Sequence, residues 1–260
     1  MSETVSFFFS PEWPVLYLDN HLLALYKPAG LLVQGDKTAD VSLLELGKLW
    51  LKKQYGKPGR VFLGMVHRLD RPVAGVVLFC RTSKAAGRIS EQIRSGSVAK
   101  TYLAVVEGRP PEGRGRLTNF IETGVKHNRI VSQSNSRSRI ATLSYRLVDT
   151  DKSLSLLEIR LETGRKHQIR LQLANIGHPL LGDKRYGASS ALPQRQIALF
   201  ARSLRIMHPT RKVQMAIQAP LPKGWPWAAE QAVANAPPWN WDELRPQIYS
   251  CLPLVHSTGL

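Results

Sequence analysis

Acidic residues are scarce in this chain, and cysteine is scarcer. Its 260 residues hold 19 Asp and Glu against 36 Lys and Arg, with two cysteines, Cys80 and Cys251. Two cysteines so far apart make no metal or redox spacing, and a disulfide scaffold is excluded at this size, which fits a reducing compartment. Cys80 ends an apolar run and reads as a buried, inert thiol. No apolar run approaches the length of a membrane span. Met1-Ser2-Glu3-Thr4 has no basic region, and Phe7-Phe8-Phe9 is too short for the apolar segment of a signal peptide, so a soluble, cytoplasmic protein is expected. There is no internal repeat.

What the chain has in excess is positive charge, a formal +17. Such a surplus favours a polyanionic partner, because each phosphate neutralised releases condensed counterions. An anionic membrane is the rival partner, but no strongly amphipathic basic helix stands out to carry it. Nucleic acid is therefore expected, although charge does not choose RNA over DNA. With 43% hydrophobic residues the chain can also bury a sizeable core.

Periodicity predicts an α+β fold, a mixed and mostly antiparallel central sheet with flanking helices and loops. Residues 15–18 and 22–26 read as a hairpin about Asp19-Asn20. Asp40 or Ser42 caps a helix to about 54, with Leu43, Leu46 and Trp50 on one face. A second helix is expected over 83–95, with Ser83 as N-cap, Ala86, Ile89 and Ile93 inward, and Gly96 as its stop. Strands follow at 98–106, 142–148, 154–161, 197–206 and 212–217. Residues 109–139 carry seven Lys and Arg against Glu112 and Glu122. They read as a solvated loop or as a phosphate-contacting lobe or hairpin. From Trp225 onward, four of the six tryptophans occur among prolines. That composition reads as a tail packed on the domain.

Two charged clusters interrupt this pattern. His67-Arg68-Leu69-Asp70 lies between the strand-like runs 61–66 and 73–79, which places a carboxylate, two arginines and a histidine beside core strands. Thr163-Gly164-Arg165-Lys166-His167-Gln168-Ile169-Arg170 reads as a turn opening a helix over 165–176, which suits an anion. Arg165 and Lys166 in a first helical turn would oppose the helix dipole, so another interaction is needed to keep them there.

These clusters occur in order with Lys100-Thr101-Tyr102-Leu103-Ala104 between them and Gly177-His178-Pro179-Leu180-Leu181-Gly182-Asp183 after them. Lys27-Pro28-Ala29-Gly30 precedes them all, and Gly75 follows Asp70 by five. Together they resemble the RluA family of RNA pseudouridine synthases, over roughly residues 14–220. The resemblance implies the pseudouridine synthase catalytic fold over 14–222, with an N-terminal extension at 1–13 and the tail at 223–260. It implies isomerisation of uridine in structured ribosomal or transfer RNA: the glycosidic bond breaks, uracil turns, and carbon 5 joins the ribose. No cofactor and no metal are implied, and RNA is the partner of a monomer that binds no membrane.

By the same resemblance Asp70 is the nucleophile, attacking the ribose anomeric carbon or the uracil ring, or assisting departure of uracil to a glycal. Arg170 is its basic partner, a cation that favours the ionised acid in an enclosed site. Tyr102 stacks on the target base and is placed to help remove the carbon-5 proton. The base is flipped, with Arg68 near the gap it leaves. Leu199 packs beside the ring or is ordinary core. His67, Arg165 and Lys166 join the substrate contacts, as do Arg114 and Arg116 of the basic segment. His67 and His167 are expected to hydrogen-bond the backbone rather than act as general bases, and His178 to serve loop structure.

Val73-Ala74, Gln172 and Phe200 depart from the family's usual Thr-Ser, His and His, which bears on substrate contacts. With the catalytic domain opening the chain, recognition is expected from that domain and the 109–139 segment. A protein that kept the fold for RNA binding or ribosome assembly without turnover is the alternative. A glycosidase-like hydrolase would require a second paired carboxylate, and no such acid sits in a comparable motif.

Overall fold

A computed structural model describes residues 14–38, 40–124, 128–227, 237 and 239–251. The expected extension at 1–13, Lys126 of the basic segment, and 228–236 and 252–260 of the expected tail lie outside the described residues.

Asp19 makes the first hairpin. Its Oδ1 accepts from the backbone N–H of His21 at 2.8 Å and Leu22 at 2.7 Å, turning β1 (Val15–Leu18) into β2 (Leu22–Lys27). Ser42 caps α1 (Leu43–Gln54) in a reciprocal capping box with Glu45. After the two-residue β3 (Gly64–Met65), β4 (Ala74–Cys80) is buried along its whole length, Cys80 included. Thr82, not Ser83, caps α2 (Ser83–Arg94). Thr82 holds the extended backbone and its hydroxyl accepts from Ala85, whereas Ser83 is already helical. Ala85 and Ile89 are buried in α2, while Ala86 and Ile93 are partly buried.

The chain then builds β5 (Ala99–Glu107), β6 (Arg114–Glu122), β7 (Arg129–Val131), β8 (Ser138–Thr150) and β9 (Leu154–Leu161). The basic segment is therefore sheet rather than solvated loop: β6 pairs with both β7 and β8. Its Glu122 is buried and takes Arg129 at 2.8 Å and Arg137 at 3.0 Å, which is how so charged a stretch folds against a core. α3 is shorter than expected, Gln168–Asn175, because His167 ahead of it adopts the left-handed backbone, φ 60° and ψ 20°. Arg165 and Lys166 thus lie in the turn before the helix and do not oppose its dipole from within.

β10 (Leu199–Met207) and β11 (Gln214–Gln218) complete an eleven-stranded sheet in the order β1-β2-β4-β10-β5-β9-β8-β6-β7, with β11 on β10 and β3 on β4. Among the named pairs only β4 with β10 is parallel. Their approach explains Gly75, whose φ is +127° and whose position leaves no room for a Cβ against the Ala201 backbone. Beyond the sheet, α4 (Trp241–Cys251) was not anticipated. The side chain of Asn240 accepts from the N–H of Asp242, and Trp241, Leu244 and Ile248 form a buried stripe at helical spacing. Ala29 exchanges backbone hydrogen bonds with Trp239 and Trp241, so this helix is fastened to the loop after β2. No helix among the described residues is long and apolar enough to cross a membrane.

Candidate active site

A cavity of about 670 Å³ opens where the loop between β3 and β4, strand β5, strand β10 and the turn before α3 converge. Asp70, Tyr102, Arg170, His67, Arg68, Arg165, Lys166 and Leu199 all line it. Arg114 and Arg116 do not.

The Asp70 loop is fixed from below by Lys27, quoted in the sequence only as the first residue of a motif. Lys27 is fully buried, and its Nζ donates to the carbonyls of Pro28 (3.0 Å), Leu31 (2.7 Å) and Arg71 (3.0 Å). Burial pulls this ammonium down to about 7, against the opposing pull of Asp70. Arg71 itself reaches Asp40 at 2.7 Å. His67 accepts the backbone N–H of Leu78 at 2.9 Å, a backbone bond as expected. Burial, then the charge of Lys100, pushes its imidazole down to about 4, so it is neutral at physiological pH.

Asp70 keeps a quarter of its side chain exposed, 25%. Arg170 Nη1 donates to its Oδ2 at 3.5 Å, while the same guanidinium grips Asp183 at 2.7 and 2.8 Å. The tight, bidentate partner of Arg170 is therefore Asp183, 1% exposed, and Asp70 receives the arginine's remaining edge. His167 also departs from expectation. Its Nδ1 meets the hydroxyl of Tyr186 at 2.7 Å rather than a backbone group, and its Nε2 faces Asp70 Oδ2 at 3.6 Å. His178 serves its loop, bonding the carbonyl of Glu107 at 3.0 Å.

Tyr102 projects from β5 on the same side as Lys100, which also lines the cavity. Burial first, and the charge of Asp70 second, raise its phenol far above the ordinary value, so it remains protonated. Leu199, nearly fully buried, closes the floor from β10. Arg68 and Lys166 are exposed at the rim, as is Arg165, whose Nε donates to Ile140 at 3.0 Å. The turn holding the last two is tied by buried Gln168, whose Oε1 accepts from Arg165 N and the Thr163 hydroxyl. Gln172, at the departure from the usual histidine, is buried and bonds Asn119 and two carbonyls beneath the sheet.

Arg114 and Arg116 lie on the other face of the sheet. Cross-strand partners share a face, and Tyr102, Ile159, Tyr145 and Gly115 form one register row. Arg116, Ser144, Arg160 and Thr101 form the next row and point the opposite way. There Arg114, Arg146 and Arg160 line a groove of about 330 Å³. Arg116 is held by Glu162 at 2.9 and 2.7 Å, and Glu162 in turn lines the cavity, so groove and cavity adjoin through this pair. The glutamate is one of two acids lining the cavity and is bound to an arginine, which leaves Asp70 as the carboxylate facing the space. Asp183, Lys27, Lys100 and Tyr186 were not singled out in the sequence. Lys27, Lys100 and Gly182-Asp183 belong to the motifs quoted above, but only the folded chain shows what they face.

Residues 21–175 match the family model described as RNA pseudouridylate synthase. Over 223 residues the chain is 34% identical to the ribosomal large subunit pseudouridine synthase D of Xylella fastidiosa, covering 80% of this chain and 66% of that protein. It is 32% identical over 213 residues to the uncharacterized RNA pseudouridine synthase YhcT of Bacillus subtilis, covering 81% and 69%. The chain thus spans about two thirds of the length of these curated relatives. In fold it is similar to human RNA pseudouridylate synthase domain containing 4, with a TM-score of 0.68 at 24% identity over 80% of this chain and 88% of that one. With the motifs of the RluA group, three of them lining one cavity, and a family match over more than half its length, the chain belongs to the RNA pseudouridylate synthases.

Proposed function

We propose that this protein isomerises uridine to pseudouridine in large-subunit ribosomal RNA, with Asp70 as the group that acts on the nucleotide. The observation that carries this reading is the convergence of Asp70, Tyr102 and Arg170 on one cavity, in which Asp70 is the acid not clamped by a bidentate arginine. Asp70 acts on the flipped uridine so that the bond from ribose to N1 breaks. Uracil turns, carbon 5 bonds to the ribose, the carbon-5 proton leaves and N1 gains one. Atoms and electrons balance without a further reactant. Tyr102, a neutral phenol, covers the base, and Leu199 packs beneath it. In this reading Arg68, Arg165 and Lys166, exposed at the rim, meet phosphates.

The ribosomal target is supported by the names of the relatives, several of which act on the large subunit. It would place the protein in the cytoplasm with ribosome assembly. The arginine groove adjoining the cavity through Arg116 and Glu162 supports a path for flanking RNA, with Arg114 as a phosphate contact. Residues 14–222 are taken as the catalytic domain and 223–260 as a tail packed on it. The test is a map of pseudouridines in total RNA from cells with and without the gene. Loss of a site in large-subunit RNA is expected; loss confined to transfer RNA, or no loss, would overturn the target.

A further inference from the structure

His167 is the one pocket residue held in a costly backbone conformation. Its φ of 60° lies in the left-handed region, which disfavours any residue with a Cβ, and such strain collects where function needs it. Its side chain is 9% exposed. The ring is pinned by Tyr186, whose hydroxyl lies 2.7 Å from Nδ1 and whose own ring stands edge-on at 5.7 Å. Arg170 lies over that tyrosine ring at 4.9 Å. One guanidinium therefore touches Tyr186, Asp183 and Asp70 together.

The two groups that approach Asp70 choose the same atom. Arg170 Nη1 lies 3.5 Å from Oδ2, and His167 Nε2 lies 3.6 Å from Oδ2. Among the described residues no side chain bonds Oδ1. A carboxylate beside Nε2 favours the tautomer with its proton there, and Nδ1 then accepts from the Tyr186 hydroxyl. Burial lowers the imidazole to about 4, Asp70 opposing and Arg170, Arg185 and Lys166 reinforcing, so the ring is a neutral donor at physiological pH.

We infer that His167 is a positioning residue for the proposed isomerisation: with Arg170 it holds Oδ2 of Asp70 and leaves Oδ1 as the oxygen presented to the nucleotide, while Tyr186 sets its tautomer. The 3.6 Å contact is longer than a hydrogen bond and is expected to close when RNA fills the cavity, as catalytic contacts commonly do. A general-base role is disfavoured, since it would aim the Nε2 lone pair at a carboxylate. This inference rests on the proposed function.

The test compares His167→Gln, which carries an N–H where Nε2 stood, with His167→Leu, which has similar bulk and no donor. Both accept the same left-handed strain, so their difference isolates the donor. Single-turnover isomerisation of unmodified large-subunit RNA and its binding are measured for each. The leucine variant is expected to lose roughly 100-fold in rate and the glutamine variant roughly 10-fold or less, with binding within about 2-fold of wild type. Tyr186→Phe, which leaves the backbone at 167 untouched, is expected to slow the same step several-fold without weakening binding. Equal rates in the two His167 variants, losses in binding alone, or an unimpaired Tyr186→Phe would overturn the inference. A wild-type protein that modifies no RNA would instead overturn the proposed function.

Discussion

At the residue scale, the centre of the site is a guanidinium shared between two acids. Arg170 spends its bidentate face on Asp183, buried with it, and its edge on Asp70. A cation 7% exposed needs that first partner to be tolerated in the core at all. Asp183→Asn is accordingly expected to destabilise the protein by about 3 kcal/mol, as breaking a buried pair does. Urea unfolding checks it, and a change under about 1 kcal/mol would contradict the role given to the pair. The convergence of Asp70, Tyr102 and Arg170 was legible in sequence because each sits in a motif whose order matches a family. Asp183 was legible only as the last residue of a motif, since nothing in a string of letters reveals which of two carboxylates an arginine grips more closely. The same holds for His167, whose partner is a tyrosine in a different loop.

At the element scale, local chemistry decided most boundaries. The Asp19 turn and the alternating strands of the second half read directly from side-chain types, whereas the cap of α1 was left between Asp40 and Ser42 until the Ser42–Glu45 box decided it. The start of α3 did not, because helical spacing continues through His167 while its backbone does not. α4 was missed although its apolar stripe has helical spacing, since its prolines and tryptophans suggested irregular packing; Pro246 sits inside it.

The first hairpin carries a pH signature. Burial would raise the Asp19 carboxyl, but the N–H groups of His21 and Leu22 and the side chains of His208 and Tyr17 outweigh it and hold it at about 2. The folded value lies below the ordinary one, so its stabilisation is present above pH ~4 and is lost as pH falls towards 2. Asp19→Ala is expected to cost roughly 2 kcal/mol at pH 7, from a shift of this size. The gap from wild type should shrink steadily in urea melts between pH 4 and pH 2. A gap that stays constant with pH would place the effect in packing instead.

At the scale of the whole molecule, part of the net charge of +17 lies on two linked surfaces. One is the rim of the cavity, with Arg68, Arg165 and Lys166; the other is the groove of Arg114, Arg146 and Arg160 on the reverse of the sheet. Charge reversal at Arg114 and Arg116 is expected to weaken RNA binding and to reduce the slope of log affinity against log salt by roughly 1–2. An unchanged slope would remove the groove from the RNA path. The mostly antiparallel sheet was foreseeable from strand patterning. Its strand order was not, because the parallel contact of β4 with β10 joins strands more than a hundred residues apart.

The most direct measurement is turnover by Asp70→Asn, which keeps the shape of the side chain and removes its charge. RNA binding close to wild type with no pseudouridine formed is the expected result. Pseudouridine formed at a rate near wild type would contradict the assignment of Asp70 as the group that opens the glycosidic bond.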